Sequence, residues 1–188
     1  MTNTTSHLDA DELLHLAIIA SRQDAHGEAI EYLKRTIELE PDHAKAYYLL
    51  AAEHAQIEMY DRAALEMEQA LEFDPSLHIA RFQLGLLHLT SGRTAEASRS
   101  WQALDLLGEE HCLFQFKRGL ELMATDQFDA CRAHLSRGLA LNLDNAALNT
   151  DMQRVLDKLP VPPTDGDANT TPTNHVFLSA YTGGSNTH

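Results

Sequence analysis

The residue types best suited to chemistry in this chain are its eleven histidines and two cysteines. Two histidines three or four residues apart on a helix put both imidazoles on one face, where they can hold zinc. No two histidines here have that spacing. His54 and Glu58 are four apart, but one His–carboxylate pair is too common on helices to mark a site. His54 and His88 read as packed core histidines; buried in the neutral form, they would titrate and soften the fold below about pH 6.5. Cys112 and Cys131 show neither a disulfide framework nor metal-ligand spacing, and read as free thiols of a reducing compartment. Gly183-Gly184 opens no helix that would cradle a phosphate, and no serine stands in a nucleophile elbow. No enzyme, cofactor or metal site is expected. Binding has to carry the function.

Charge narrows the partners. The chain has 188 residues, 14 basic and 28 acidic, for a formal charge of −14. A surface this acidic repels phosphate backbones and anionic bilayers, so neither nucleic acid nor a membrane is an expected partner. No apolar stretch approaches the roughly 18–20 residues needed to span a bilayer. Met1 to Ser6 is polar and uncharged, unlike a secretory leader, so a cytoplasmic location is expected.

Any binding residue must be positioned by the elements around it, and these repeat. Pro41 and Pro75 are 34 apart, each after an acidic residue that ends an apolar-periodic run. The same step links small residues, Ala29, Ala63, Ala97 and Cys131, and again Ala17, Ala51, Gly85 and Gly119. It links the large residues Leu33, Met67, Trp101 and Leu135, and also Leu39, Phe73, Leu107 and Leu141. Turn-type or polar residues recur at Asp24, Glu58, Gly92 and Asp126. Such a period marks stacked helical hairpins, in which small residues let helices cross closely and large ones fill the space beside the crossing. First helices are expected near 10–22, 44–57, 77–90 and 111–124. Second helices are expected near 27–39, 60–73, 94–107 and 127–141. A last helix near 145–159, capped by Asn145, would cover the open apolar end.

These columns resemble the tetratricopeptide repeat family over about Ala10 to Leu159. Gly27-Glu28-Ala29-Ile30-Glu31-Tyr32-Leu33 through Glu40-Pro41 is similar to the family pattern, as is Tyr60-Asp61-Arg62-Ala63-Ala64 through Asp74-Pro75. The chain departs from it at Glu109 and Leu143, where proline is usual, and at Gln115 and Arg118, where the family favours a large aromatic and leucine. An irregular start to the seventh helix is therefore expected. The resemblance implies an all-α, right-handed α-solenoid of four hairpins plus a C-terminal capping helix. Its parts would be a polar segment 1–9, repeats at 10–43, 44–77, 78–111 and 112–145, the cap at 146–159, and a flexible tail at 160–188.

Second helices are amphipathic, with acidic residues on a wet outer face. First helices are apolar nearly all round, as in Tyr47 to Ala52 and Phe82 to Leu89. In the family, the side of the first helices that lines the concave surface binds peptides. Carried onto this sequence, that implies a groove of Leu14, Ile18, Tyr48, Ala52, Phe82, Leu86, Leu89, Phe116, Leu120 and Met123, with Lys45 and Lys117 beside it. So apolar a groove calls for an amphipathic or apolar peptide rather than a clamped terminal carboxylate.

A possible ligand lies in the chain itself. After a linker rich in proline, threonine and asparagine, Val176, Phe177, Leu178 and Tyr181 form an apolar island within 176–181. The expected function is a monomeric or weakly oligomeric interaction scaffold, acting as an adaptor or as a secretion or assembly chaperone. The alternatives are a module that self-associates through this tail, and an accessory subunit that positions an enzyme.

Overall fold

The computed structural model describes residues 8–160, and among them every regular element is helical. The tail island at 176–181 lies outside the described residues. The chain divides into two compact units, residues 1–87 and 88–188.

The first unit holds α1 (Ala10–Arg22), α2 (His26–Leu39), α3 (Ala44–Gln56), α4 (Tyr60–Phe73) and most of α5 (His78–Thr90). Asp9 and Glu12 start α1 with a reciprocal capping box: the Glu12 amide donates to Asp9 Oδ1 at 2.8 Å, and the Asp9 amide to Glu12 Oε2 at 3.1 Å. Helices α1 and α2 form one hairpin, α3 and α4 a second, and α2 packs on α3. Leu14, Ala17, Leu33, Ala46 and Leu50 make one buried cluster, and Ala51, Ala63, Ala64, Met67 and Leu84 another. The alanines hold the crossing positions and have essentially no exposed surface, so any larger side chain there would force the helices apart.

The second unit runs through α6 (Thr94–Trp101), α7 (Cys112–Met123), α8 (Phe128–Leu141) and α9 (Ala146–Lys158). Helices α7 and α8 form its main hairpin, and α9 covers α8. The Asn145 side chain caps α9 by accepting from the Leu148 amide at 3.0 Å, as its position suggests. Gly119 and Gly138 allow the close approach of α7 to α8. A methyl group on Gly119 would lie 2.7 Å from the Leu135 side chain, and one on Gly138 2.5 Å from the Phe116 ring.

Three of the four hairpin turns are closed by a non-glycine residue in the left-handed region: Asp24 (φ 55), Glu58 (φ 63) and Asp126 (φ 58). The fourth uses Gly92 (φ 74). The column of turn-type residues thus marks the αL position that ends each first helix.

One expected helix is broken. Instead of continuing to residue 107, α6 stops at Trp101 and tightens into a 3-10 segment over Gln102–Leu107. Six residues is long for that conformation, in which positions three apart eclipse. Here Trp101 and Leu104, three residues apart, are both buried, and Leu106 is 90% exposed. Gly108, at φ 77, ends the segment. The seventh helix, where the irregularity was expected, is regular from Cys112 onward.

Candidate functional site

Several histidines turn out to be structural. His43 accepts the Ala46 amide at 3.2 Å and caps α3; His111 accepts the Leu113 amide at 3.1 Å and caps α7. His26 Nδ1 lies 2.7 Å from Glu53 Oε2, and His54 Nδ1 2.5 Å from Glu66 Oε2. Glu53 and His54 are adjacent on α3 and both buried, so these two pairs tie α3 to α2 on one side and to α4 on the other. His54 pairs with Glu66 across the hairpin. Among the described residues, no three histidine, cysteine or acidic side chains converge as a metal site.

The thiols are poor nucleophiles at neutral pH. Burial pushes the Cys131 thiol up to about 11, against a small opposing effect of Arg132. Burial also raises Cys112, although backbone amides at the start of α7 oppose it. His111 precedes Cys112 in sequence, but its Nδ1 is engaged in the cap. Thiolate chemistry needs the opposite shift.

The twelve residues expected to line a groove separate into three groups. Leu14, Phe82, Leu89, Phe116 and Leu120 are buried. In this arrangement they serve as packing, a correction to the expected groove. Phe116 shows the cause: Gly138 on α8 leaves room for its ring, and the ring turns inward to fill it. Lys117 is the second correction. It is 5% exposed, and its ammonium lies 2.5 Å from Asp105 Oδ1 and 3.5 Å from Glu121 Oε1, so it is held in an internal ion cluster. The third group remains accessible: Ile18, Tyr48, Ala52, Leu86 and Met123 are half-buried, and Lys45 is exposed.

In the first unit, four of these stand on neighbouring first helices. Ile18 of α1 packs with Leu49 of α3 around the shared cluster of Leu14, Ala46 and Leu50. The Tyr48 phenol on α3 is hydrogen-bonded to the Gln83 side chain on α5, and burial pushes the phenol above its ordinary value. Ala52 follows Tyr48 by one helical turn, and Leu86 follows Gln83 by three residues. The result is an apolar strip with one polar anchor and Lys45 at its edge.

The second unit contains a feature not foreseen from the sequence, a cavity of about 560 Å³. Its lining includes Leu89, Ala97 and Trp101, each almost wholly buried, together with Arg118, Glu121 and Thr125. Arg118 Nη1 lies 3.2 Å from Glu121 Oε2. The available signal was Arg118 itself, at a position where the resemblance favours leucine. The Arg118 side chain is half exposed where it lines the cavity.

Residues 44–77, which are α3, α4 and the turn after them, match the tetratricopeptide repeat family. That one hairpin is similar to a tetratricopeptide repeat, and the other hairpins follow the same 34-residue period. Over 87 residues, 46% of its length, it is 30% identical to anaphase-promoting complex subunit 3 of Schizosaccharomyces pombe (strain 972 / ATCC 24843). It spans 13% of the length of that relative. Among solved structures it resembles MamA, with a TM-score of 0.60 and 20% identity over 70% of this chain and 77% of that one. It also resembles a chain of the APC/C hetero-tetramer Cut9–Hcn1, with a TM-score of 0.71 and 18% identity over 79% of this chain and 29% of that one. These structural likenesses establish the all-α helical-repeat fold. Among the described residues, no helix is long and apolar enough to cross a membrane.

Proposed function

We propose that this protein is an interaction scaffold that holds an apolar or amphipathic peptide segment of a partner protein against the Tyr48 face of its first unit. The observation that carries this reading is Tyr48: a half-buried ring, hydrogen-bonded to Gln83 of α5, with half-buried Ala52 one turn on along α3 and half-buried Leu86 one turn on from Gln83. An apolar strip with a few fixed polar groups suits a peptide that presents side chains at helical spacing. Lys45, exposed at the edge, adds a cation for an acidic residue on such a peptide. The relatives support a role among partner proteins, since one is a subunit of a complex and another was solved as a hetero-tetramer. On this reading the chain works as an adaptor, or as a chaperone for a secreted or assembling protein.

Site-specific photocross-linking tests this directly. A photoreactive side chain at Ala52 should capture a peptide partner, and the same group at Glu68, exposed on α4, should not. Tyr48→Ala together with Leu86→Ala should abolish the capture. Equal cross-linking from both positions, or capture that survives the double substitution, refutes the reading.

A further inference from the structure

The two sides of α1 differ. Ala10, Leu13, Leu14, Ala17 and Ala20 are buried against the rest of the first unit. On the opposite side Asp11, Glu12, His15, Ile19 and Arg22 are exposed, and Leu8 and Leu16 are half-buried. Leu8, Glu12, His15, Ile19 and Arg22 follow one another at alternating steps of four and three residues, which places them on one stripe of the helix. A hollow of about 430 Å³ lies on this stripe, lined by Leu8, Asp11, Glu12, His15 and Leu16. A stripe with this spacing, carrying both a projecting apolar side chain and a hollow, is the kind of surface that a second helix covers.

Charge selects which helix. Asp11 stands in the first turn of α1 and Arg22 in the last, on the same edge of the stripe. Among the described residues neither has an ion partner within the chain. When two copies of α1 pair antiparallel about a two-fold axis, this edge of one helix faces the same edge of the other, so each Asp11 comes level with the other copy's Arg22. That register sets the two Leu16 side chains beside each other. It also brings Ile19 level with Leu14 of the second copy, over the hollow between Glu12, His15 and Leu16. A head-to-tail contact is less suitable, because the last helix, α9, turns Thr150, Gln153, Arg154 and Lys158 to solvent. The surface that complements the stripe is the stripe itself, as a two-fold interface requires.

We propose that two copies of this chain associate through α1, antiparallel about a two-fold axis, with Ile19 of each in the hollow of the other and Asp11 paired with Arg22 across the ends. The contact is one helix long, roughly 20 Å, and stands at the small end of interface sizes. The dimer is therefore weak, and repulsion between two chains of charge −14 weakens it further until salt screens them. Such a dimer carries two Tyr48 faces, so a partner with two binding segments is held by both. That consequence rests on the peptide-binding reading; the dimer itself does not.

Sedimentation equilibrium of the full chain tests this between about 10 µM and 1 mM protein, in about 0.15 M salt. The native chain should pass from monomer toward dimer over that range, and Leu16→Glu with Ile19→Glu should abolish the dimer. The charge pair supplies variants at exposed positions, where folding is not at stake. Arg22→Glu sets like charges together and should weaken association by about tenfold, whereas Asp11→Arg combined with Arg22→Glu should restore it to within about threefold of native. A chain that stays monomeric at the highest concentration overturns the proposal. So does a dimer indifferent to Leu16 and Ile19, or a double charge reversal that fails to restore what Arg22→Glu removes. A dimer lost on Phe177→Ser with Tyr181→Ser overturns it in favour of association through the tail. Cross-linking at Ala52, measured on the monomeric Leu16→Glu, Ile19→Glu chain, reports on the peptide-binding reading separately.

Discussion

The ammonium of Lys117 lies 2.5 Å from the carboxylate of Asp105, joining α7 to the 3-10 segment that ends α6. The two ends of this pair are not equivalent. Lys117 is buried, whereas the Asp105 side chain is 51% exposed. Asp105→Asn leaves a buried ammonium with only Glu121 at 3.5 Å, and should destabilise by about 2–3 kcal/mol, below the roughly 3–5 kcal/mol of a fully buried pair because Asp105 is half exposed. Lys117→Met leaves a carboxylate that water can reach, and should cost less than about 1 kcal/mol. Urea melts of the two variants check the asymmetry; equal losses would contradict it.

Protonation of His134 should weaken the second unit. Its Nδ1 lies 2.7 Å from Gln115 Oε1, and Gln115 Nε2 donates to the Glu109 carbonyl at 2.6 Å. Desolvation, followed by the nearby Arg118, holds the imidazole below its ordinary value; Glu109 opposes and Arg137 adds to the depression. A group whose folded value is lowered stabilises above its unfolded value, near pH 6.5, and loses that contribution as pH falls through the folded value. The stability difference between the native chain and His134→Asn should therefore shrink from pH 7.5 toward pH 5 (chosen to bracket about 6.5). A difference constant across that range would exclude the effect.

The αL turn positions predict opposite results for opposite substitutions. Glu58 holds φ 63 with a side chain that disfavours it, so Glu58→Gly should stabilise by about 0.5–1 kcal/mol. Gly92→Ala at φ 74 should destabilise by about 1 kcal/mol or more. Thermal melts with matched calorimetric enthalpies would detect either change, and the same sign at both sites would refute the assignment.

Gly138→Ala should destabilise more than an ordinary helix glycine replacement, which usually helps. The added methyl would meet the Phe116 ring at 2.5 Å, and overpacking of this kind costs about 1–3 kcal/mol. Phe116→Leu in the same chain should restore part of the loss by opening the space. If Gly138→Ala alone is neutral or stabilising, the close approach of α7 and α8 is not what the glycine serves.

Much of the repeat pattern could be read from residue types, because it is local physics. The alanine columns had to be crossings, since only small residues let helices approach. The column of Asp24, Glu58, Gly92 and Asp126 had to be turns, and all four are in the left-handed region. Asn145 was legible as a cap because its side chain satisfies an amide three residues on. The column of Leu39, Phe73, Leu107 and Leu141 was read as apolar periodicity alone. Leu39 and Phe73 are in fact exposed, although Phe73 lies with its ring centroid 5.4 Å from that of Tyr47.

The candidate site was less legible. Apolar character cannot tell a side chain that faces a ligand from one that fills the interior. Phe116 and Tyr48 hold equivalent places in their repeats, 68 residues apart. One is buried because a glycine on the facing helix admits its ring, and the other stays half-buried with its phenol tied to Gln83. Lys117 looked available until its distance to Asp105 was known, and Arg118 looked like a blemish until the cavity beside it appeared. By itself the sequence determined the helical repeat, its period and its turns, all set by contacts within a few residues or within one hairpin. Which apolar faces stay open, and which charge is drawn into the interior, were decided only in the tertiary structure. Those outcomes depend on what each side chain meets across the packing, and residues far apart in sequence supply it.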